Sequence, residues 1–514
     1  MNERIQLIAL AALLHDIGKF MLRAAVSGKF IWSERENQHE FGYKHAMLTD
    51  TFVDEYVPSQ WRATVRALAG RHHRPRTDDE RIIQEADHLS AGERDDGHRQ
   101  EDDSPRTKHP QQLQSIFCQV QADGVTAPDA RYLPLQPLQM QREAIFPAAP
   151  LQGDTVWRKY ATLWDEFAGQ MAQLRNAHEG TGNLAVYLEN VLLLLQRYTW
   201  CIPSAYYGSV PDISLYDHSR MTAALAVALA DRDEDNAGGN DAPVAQVIGA
   251  DISGVQDFIY TITSRGATAS LRGRSFYVQM LTEVVARFLM RELELPITSL
   301  IYVGGGNVLL LGRPGEQARL DQVRRKLSTV LLRHHRGDLY VAIGQASVRR
   351  DDLAAGRFNE PLAQLHRKLA QAKQQRFAEL GDAMAELFAP VGYMGNEEQL
   401  CQVCGMEDAG CIEDPDTGVR KCPQCRAFEE LGDQLRKARF LMLTRTVPDS
   451  EVQTDQLSGT WRDVFQALEY TVEVAEDVHE LAPDPTMQRT ILALADDAFA
   501  DLTPTAAQAV GRHL

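Results

Sequence analysis

Positive charge is in deficit along this sequence: 53 lysines and arginines stand against 71 aspartates and glutamates, a formal net charge of -18 at pH 7. A bulk electrostatic grip on nucleic acid is therefore excluded, and any such grip has to come from local basic patches on an acidic body. Uninterrupted apolar runs are missing too. The most apolar internal segment, Leu184 to Ile202, is broken by Glu189, Asn190, Gln196 and Arg197 and is too polar for a span. The N-terminal run MNERIQLIALAALLHDIGKF ends in a His-Asp pair with no small-residue cleavage site, so it reads as a buried helix. Cysteine is scarce, seven in 514 residues, and four of the seven fall in two CxxC pairs. That pattern argues against a disulfide framework and for a metal site in a reducing compartment, hence a cytoplasmic protein without a membrane partner. The length predicts three or four compact units.

What is present begins with histidine and aspartate. Residues 4 to 26 predict one helix with Ile5, Ile8, Ala9 and Leu13 on its apolar face, and His15 and Asp16 beyond its middle. Neighbouring helical residues point about 100° apart, so this pair shares a metal only if other helices complete the site. His45, His72, His73 and Asp87 are the candidates, the last on a helix expected from Asp79 to about Ser90. Such a set over several helices suits an HD-type metal phosphohydrolase, in which a divalent transition metal (Mn, Ni or Co) makes hydroxide at neutral pH. Lys19, one turn on, is a candidate to neutralise a phosphate oxygen. His39, His88 and His98 read as surface residues.

The stretch from Glu93 to Gln112 has no period and reads as a loop. Trp157, Tyr160, Ala161, Trp164, Phe167, Ala168 and Met171 then recur at three- and four-residue steps, a core stripe rather than a base-stacking surface. A second helix covers Leu184 to Trp200. Residues 211 to 230 predict a turn and a small-residue helix in which Asp217 and His218 have capping and packing roles. An acidic linker from Asp231 to Pro243 marks a boundary.

Beyond it, GADISGVQDFIY gives a strand carrying Asp251, and SLIYVGGGNVLLLG a hairpin whose turn holds Gly304, Gly305, Gly306 and Asn307. With a helix from Gln317 to His334 and a strand from Leu339 to Val348, the order is that of a ferredoxin-like palm. An Asp at a strand end facing a glycine hairpin is the layout of a nucleotide-polymerising palm, but this turn has no carboxylate. Ser270, Arg272, Gly273 and Arg274, in SLRGRS, read as a basic loop able to contact nucleotide or RNA. A charged helix is expected over 360 to 388. Cys401, Cys404, Cys422 and Cys425 then have the spacing of a closed structural zinc site, with Cys411 spare. After it, helices are expected from Arg426 to about Leu443, around Phe465 to Val474 and over Thr490 to Phe499.

These motifs, ALLHDIGKF, HHRP with IIQEADHLSAGER, PDISLYDHSRMTAALA, GADISGVQDFIY with SLRGRSFYVQML, YVGGGN and the CxxC pairs with LGDQLRKARFL, occur in the order of a known family. The chain resembles the N-terminal two-thirds of the large signature subunit of type III CRISPR effector complexes, Csm-type branch. The resemblance implies a multidomain α+β protein: a helical HD domain over 1-115, a helical connecting region over 116-243, and a degenerate ferredoxin-like palm over 244-395. A small four-cysteine zinc ribbon over 396-445 and a segment over 446-514 leading toward a second palm complete it.

It further implies a metal-dependent nuclease that cuts single-stranded DNA, with His15 and Asp16 as signature dyad, and a palm that binds ATP through Asp251 and its glycine turn. The implied partners are the other subunits of a ribonucleoprotein with guide RNA, target RNA, and a second polypeptide carrying the catalytic palm. No Gly-Gly-Asp-Asp occurs in this sequence, so cyclic oligoadenylate synthesis is not expected of this chain alone. The chain stops where the family's second palm would begin, which implies a split gene or a truncated product. An exposed apolar patch is expected where that palm would sit. Two alternatives stay open: an HD phosphohydrolase acting on a small nucleotide, and a scaffold with a silent HD site.

Overall fold

The N-terminal apolar run is buried as expected, but the computed structural model breaks it in two. The structure describes residues 2–26, 39–92, 112–120, 129–205, 210–230, 242–353, 357–388, 395–415, 417–446, 458–477 and 489–494. Helix α1 (Glu3–Leu14) is capped by the Asn2 side chain, and α2 (Gly18–Arg23) follows after a turn at residues 15–17. Ile5, Ile8, Leu10, Leu13 and Leu14 are all buried, each contributing about 1.5–3 kcal/mol. That apolar surround holds a His-Asp turn in the interior.

Around α1 stand α3 (Lys44–Tyr56), α4 (Ser59–Gly70) and α5 (Asp78–Ser90), the last opened by a Thr77/Glu80 capping box. The next helices, α6 (Asp154–His178), α7 (Leu184–Thr199) and α8 (Leu215–Leu229), close the bundle instead of standing apart from it. The aromatic stripe of α6 is core: Phe20 of α2 meets Trp164 edge-on at 5.1 Å, and Phe52 of α3 stacks on Phe167 at 5.9 Å. Helix α8 packs on α1 and α5 with one side and on the palm sheet with another. Its alanines permit that close approach. The expected loop at 93–111 and linker at 231–241 lie outside the described residues, as does His98.

The palm has the expected ferredoxin-like order. Strand β1 (Pro243–Ser253), α9 (Ala267–Glu292), β2 (Leu300–Gly304), β3 (Asn307–Gly312), α10 (Gln317–His335) and β4 (Tyr340–Arg349) form an antiparallel sheet in the order β2-β3-β1-β4. The expected 360–388 helix is α11 (Asn359–Gln374), lying on β1 and β4, followed by a 3-10 stretch. A β-hairpin of β5 (Ile412–Glu413) and β6 (Arg420–Lys421) leads to α12 (Pro423–Gln434).

Past this point the helical expectations fail. Helix α12 stops at Gln434, and β7 (Phe440–Arg445) is the central strand of a second antiparallel sheet; α13 (Arg462–Ala467) precedes its neighbour β8 (Tyr470–Ala475), and β9 (Arg489–Ala493) pairs on its other side. Short apolar runs such as FLMLTR fit a strand as well as a buried helix, and pairing decides between them. Residues 495–499 of the last expected helix are outside the described set. Among the described residues, the exposed large apolar side chains in the palm and beyond are Tyr260, Tyr302, Phe388, Ile412 and Leu494, and those before it are Ile116, Phe117, Val120, Met140, Phe146 and Val210.

The apolar stretch Glu3–Arg23 is long and apolar enough to cross a membrane, but 89% of its most apolar window is buried inside the protein.

Candidate metal centre

The break between α1 and α2 places His15 and Asp16 on a turn, at 0% and 2% exposure, facing residues from four other helices or helix ends. His15 Nε2 is 3.4 Å from Asp16 Oδ2 and 3.5 Å from Asp87 Oδ1; His218 Nε2 is 3.1 Å from Asp87 Oδ1 and 3.4 Å from Asp16 Oδ2. Asp16 presents its other oxygen elsewhere. Oδ1 lies 3.5 Å from His45 Nε2 and 4.0 Å from His72 Nε2, and His45 Nε2 is 2.9 Å from His73 Nε2. Two sets of ligand atoms thus form, His15, Asp16, Asp87 and His218 on one side and His45, His72 and His73 on the other, with the Asp16 carboxylate between them.

The tautomers follow from the backbone. His15 Nδ1 donates to Ala12 O and His72 Nδ1 to Ala69 O, each at 2.7 Å. The Ser90 hydroxyl donates to His218 O at 3.3 Å and accepts from His218 Nδ1 at 3.0 Å. Nε2 of His15, His72 and His218 is left buried with no hydrogen-bond partner. Buried polar atoms are rarely orphaned, and three aimed at two carboxylates fit a cation.

The two buried carboxylates attract positive charge, which in the absence of a metal falls on His15. Burial alone would lower His15, yet Asp16 and Asp87 together raise it to about 10. Burial lowers His45 to about 3 and His72 to about 4. Against the penalty of burial, Lys19 and His15 hold Asp16 well below the carboxylate range, and the adjacent His15 and His218 rings do so for Asp87. Lys19 Nζ is 2.6 Å from Asp16 Oδ2 and 3.2 Å from Ser204 O, so it steadies the aspartate instead of projecting toward a substrate phosphate.

His218, assigned only capping and packing by its sequence context, joins the site; Ser214 is the cap, accepting from Asp217 N at 2.9 Å. The signal was present in the small-residue helix itself, since a histidine on a tightly packed helix is buried and needs a partner.

The four paired cysteines converge, their Sγ atoms all within 4.8 Å and Cys404 Sγ to Cys422 Sγ at 3.8 Å. A tetrahedron with Zn–S of about 2.3 Å has edges of about 3.8 Å. Hydrogen bonds from the other three thiols pull Cys401 down, while those with Cys401 and Cys404 push Cys422 and Cys425 up; four thiolates this close repel one another, and a cation between them would offset that. Cys422 caps α12 and Pro423 occupies its first turn, where the helix dipole favours thiolate.

The candidate nucleotide residues divide. Asp251 lies opposite Asn307 in the β1–β3 register and pairs with Lys373 of α11. Gly305 and Gly306 have φ of 57° and 83°, and Asn307 Nδ2 donates to Gly305 O at 3.1 Å, so the asparagine shapes its own turn. SLRGRS, however, is helical and inside α9. Ser270 and Arg274 are buried, and Arg272 Nη1 donates to Gly432 O of α12 at 2.6 Å. A Cβ on Gly273 would meet Phe428 O at 1.8 Å, and one on Gly432 would meet Ala269 O at 1.9 Å. The glycine that suggested a loop is there to let α12 cross α9 backbone to backbone, and it turns the arginines toward the ribbon.

A histidine-aspartate cluster held by a helical bundle is thus joined to a ferredoxin-like palm and a four-cysteine cluster. Residues 1–92 match the HD domain and residues 244–390 match Csm1 subunit domain B. Over most of its length the chain is similar to Cas10/Csm1 proteins of subtype III-A CRISPR systems. It is 26% identical over 539 aligned residues to the CRISPR system single-strand-specific deoxyribonuclease Cas10/Csm1 of Methanocaldococcus jannaschii, covering 91% of this chain and 64% of that protein. The namesake from Thermococcus onnurineus is 28% identical over 481 residues, covering 84% and 55%. Among solved structures, the Csm1-Csm4 subcomplex of the type III-A CRISPR-Csm interference complex aligns with TM-score 0.61 at 20% identity, covering 92% of this chain and 55% of that one. The Csm1-Csm4 cassette in complex with one ATP gives 0.60 at 20% identity with the same coverage. The chain spans a little over half to two-thirds of the length of these proteins.

Proposed function

We propose that this chain is the nuclease-bearing portion of a type III-A effector subunit and hydrolyses single-stranded DNA at the His15/Asp16 centre. One observation carries the reading: three buried imidazole Nε2 atoms without partners face two carboxylates held ionised. His15, Asp16, Asp87 and His218 would hold one divalent transition metal (Mn, Ni or Co), and His45, His72 and His73 a second, with Asp16 shared between them. When bound, such metals activate water at neutral pH and neutralise the phosphodiester. The chain's own share is positional. Ala12 O, Ala69 O and Ser90 fix which ring nitrogen is free, Lys19 holds Asp16 anionic, and the apolar face of α1 keeps the centre dry.

In this reading the cysteine quartet holds a structural zinc, and the palm receives ATP at Asp251 and the 304–307 turn. The described residues carry no acidic pair at that turn, so cyclic oligoadenylate synthesis would draw on a catalytic turn other than this one. The effector's other subunits, guide RNA and target RNA are the partners, in the cytoplasm.

The test is cleavage of labelled single-stranded DNA with Mn²⁺ or Ni²⁺ by the wild-type chain and by His15→Ala and Asp16→Ala. Activity lost in both variants supports the assignment; equal degradation by all three sinks it.

A further inference from the structure

Arg274 is an arginine buried at 4% exposure, and among the described residues no carboxylate lies within ion-pair distance of it. Its guanidinium is wedged between the rings of Phe258 and Phe428, 5.0 and 4.9 Å from their centroids. Nη1 donates to Phe258 O at 3.2 Å, Nη2 lies 3.3 Å from Cys425 Sγ, and Nε has no partner. The nearest titratable neighbours do not pair with it: the Asp338 carboxylate interacts with Arg274 through space without forming an ion pair. Burial keeps His335 neutral, and it is engaged by the Tyr277 hydroxyl at 2.6 Å. Burial raises the Asp338 carboxyl, and Arg274 offsets this only in part. A permanently charged guanidinium desolvated in this way needs an anion.

The one group in contact with it that can be anionic is the cysteine quartet. Four thiolates around one divalent zinc carry two net negative charges, and Cys425 is the ligand that Arg274 touches.

We infer that Arg274 is the palm's counter-ion for the zinc thiolate centre, so that zinc retention in the ribbon and the packing of α9 in the palm are one linked equilibrium. The inference rests on the zinc reading of the quartet. The guanidinium donates to Cys425 Sγ and disperses the charge of the zinc-bound quartet. Zinc in turn keeps the four sulfurs as thiolates, and their negative charge adds to the ring and backbone contacts that hold Arg274. Arg272 gives an internal comparison, since it reaches the same helix from two residues away through Gly432 O and touches no sulfur.

The experiment follows zinc transfer from the full chain to the chromogenic chelator 4-(2-pyridylazo)resorcinol for wild type, Arg274→Gln, Arg274→Lys and Arg272→Gln. Removing an outer-shell partner costs roughly 10–100-fold in metal affinity. Arg274→Gln is expected to release zinc faster by that order, Arg274→Lys to fall between, and Arg272→Gln to match wild type. A second arm needs no variant: amide exchange across Ser270–Val278 of the wild-type chain is measured with zinc bound and after chelation. Loss of protection in α9 on chelation supports the linkage even where Arg274→Gln does not fold.

Equal zinc release from Arg274→Gln and wild type, or α9 exchange indifferent to zinc, overturns the inference while leaving the zinc site standing. A purified chain with no zinc and no capacity to take it up overturns both.

Discussion

Gly18→Ala is the substitution in which a single methyl group bears hardest on the chemistry. Gly18 opens α2 and lies against α3, the helix that carries His45. A Cβ there would fall 1.9 Å from His45 O and 2.8 Å from Thr49 N. Ordinary contact begins at 3.4 Å, so the two backbones must separate by about 1.5 Å. Both atoms are main chain, and no rotamer change relieves them. The Thr49 hydroxyl also ties the two helices together, accepting from Gly18 N at 3.1 Å and donating to His15 O at 2.8 Å. The displacement therefore pulls His45 away from Asp16 and loosens the turn that holds the dyad. Overpacking of this kind costs roughly 1–3 kcal/mol, and a misplacement of about 1 Å costs on the order of 100-fold in rate. The expected result is a folded protein with a lowered melting temperature and about 100-fold slower Mn²⁺-dependent cleavage of single-stranded DNA. Gly169→Ala, on the exposed side of α6 with nothing within 4 Å of its Cβ, serves as control and should be neutral or slightly stabilising. Cleavage and melting of Gly18→Ala indistinguishable from wild type would refute the geometric argument.

Two other perturbations address the supports of the site. Ser90→Ala removes the acceptor that fixes the His218 ring, and metal titration should show roughly 10–100-fold weaker binding with unchanged melting at saturating metal; undiminished affinity would remove Ser90 from the assembly. Arg287 of α9 donates to Glu189 of α7 at 2.8 Å and to Glu283 at 2.9 Å, a mostly buried join between bundle and palm. Arg287→Met should cost about 3–5 kcal/mol in urea unfolding by leaving buried carboxylate behind, and adding Glu189→Gln should recover part of it. A double variant no more stable than Arg287→Met would show that the pair is not coupled.

Sequence pattern carried further in some places than in others, and the reasons are physical. The four paired cysteines and the ferredoxin-like order were legible because ligand spacing and strand alternation are local. His45, His72, His73 and Asp87 could be named as candidates, but not their division around the two oxygens of Asp16, which depends on how five helices meet. His218 was misjudged because its partners Ser90 and Asp87 lie far away in sequence. The SLRGRS reading failed for a related reason: glycine in a helix looks like a break until the crossing helix it accommodates is in view. In β7 and β8 the short apolar runs suited either state, and strand pairing settled them.

One consequence of α8 concerns time rather than space. The helix that delivers His218 stands 128 residues after Ser90, its nearest support in the bundle. Synthesis at about 5–20 residues per second puts some 6–25 seconds between the emergence of the two. During that interval the nascent chain already offers His15, Asp16, His45, His72, His73 and Asp87, but it lacks the fourth member of the first ligand set and the helix that buries it. The centre is thus a late product of translation, closed by the same element that meets the palm, so the candidate metal centre is finished only as the domain beside it begins to appear.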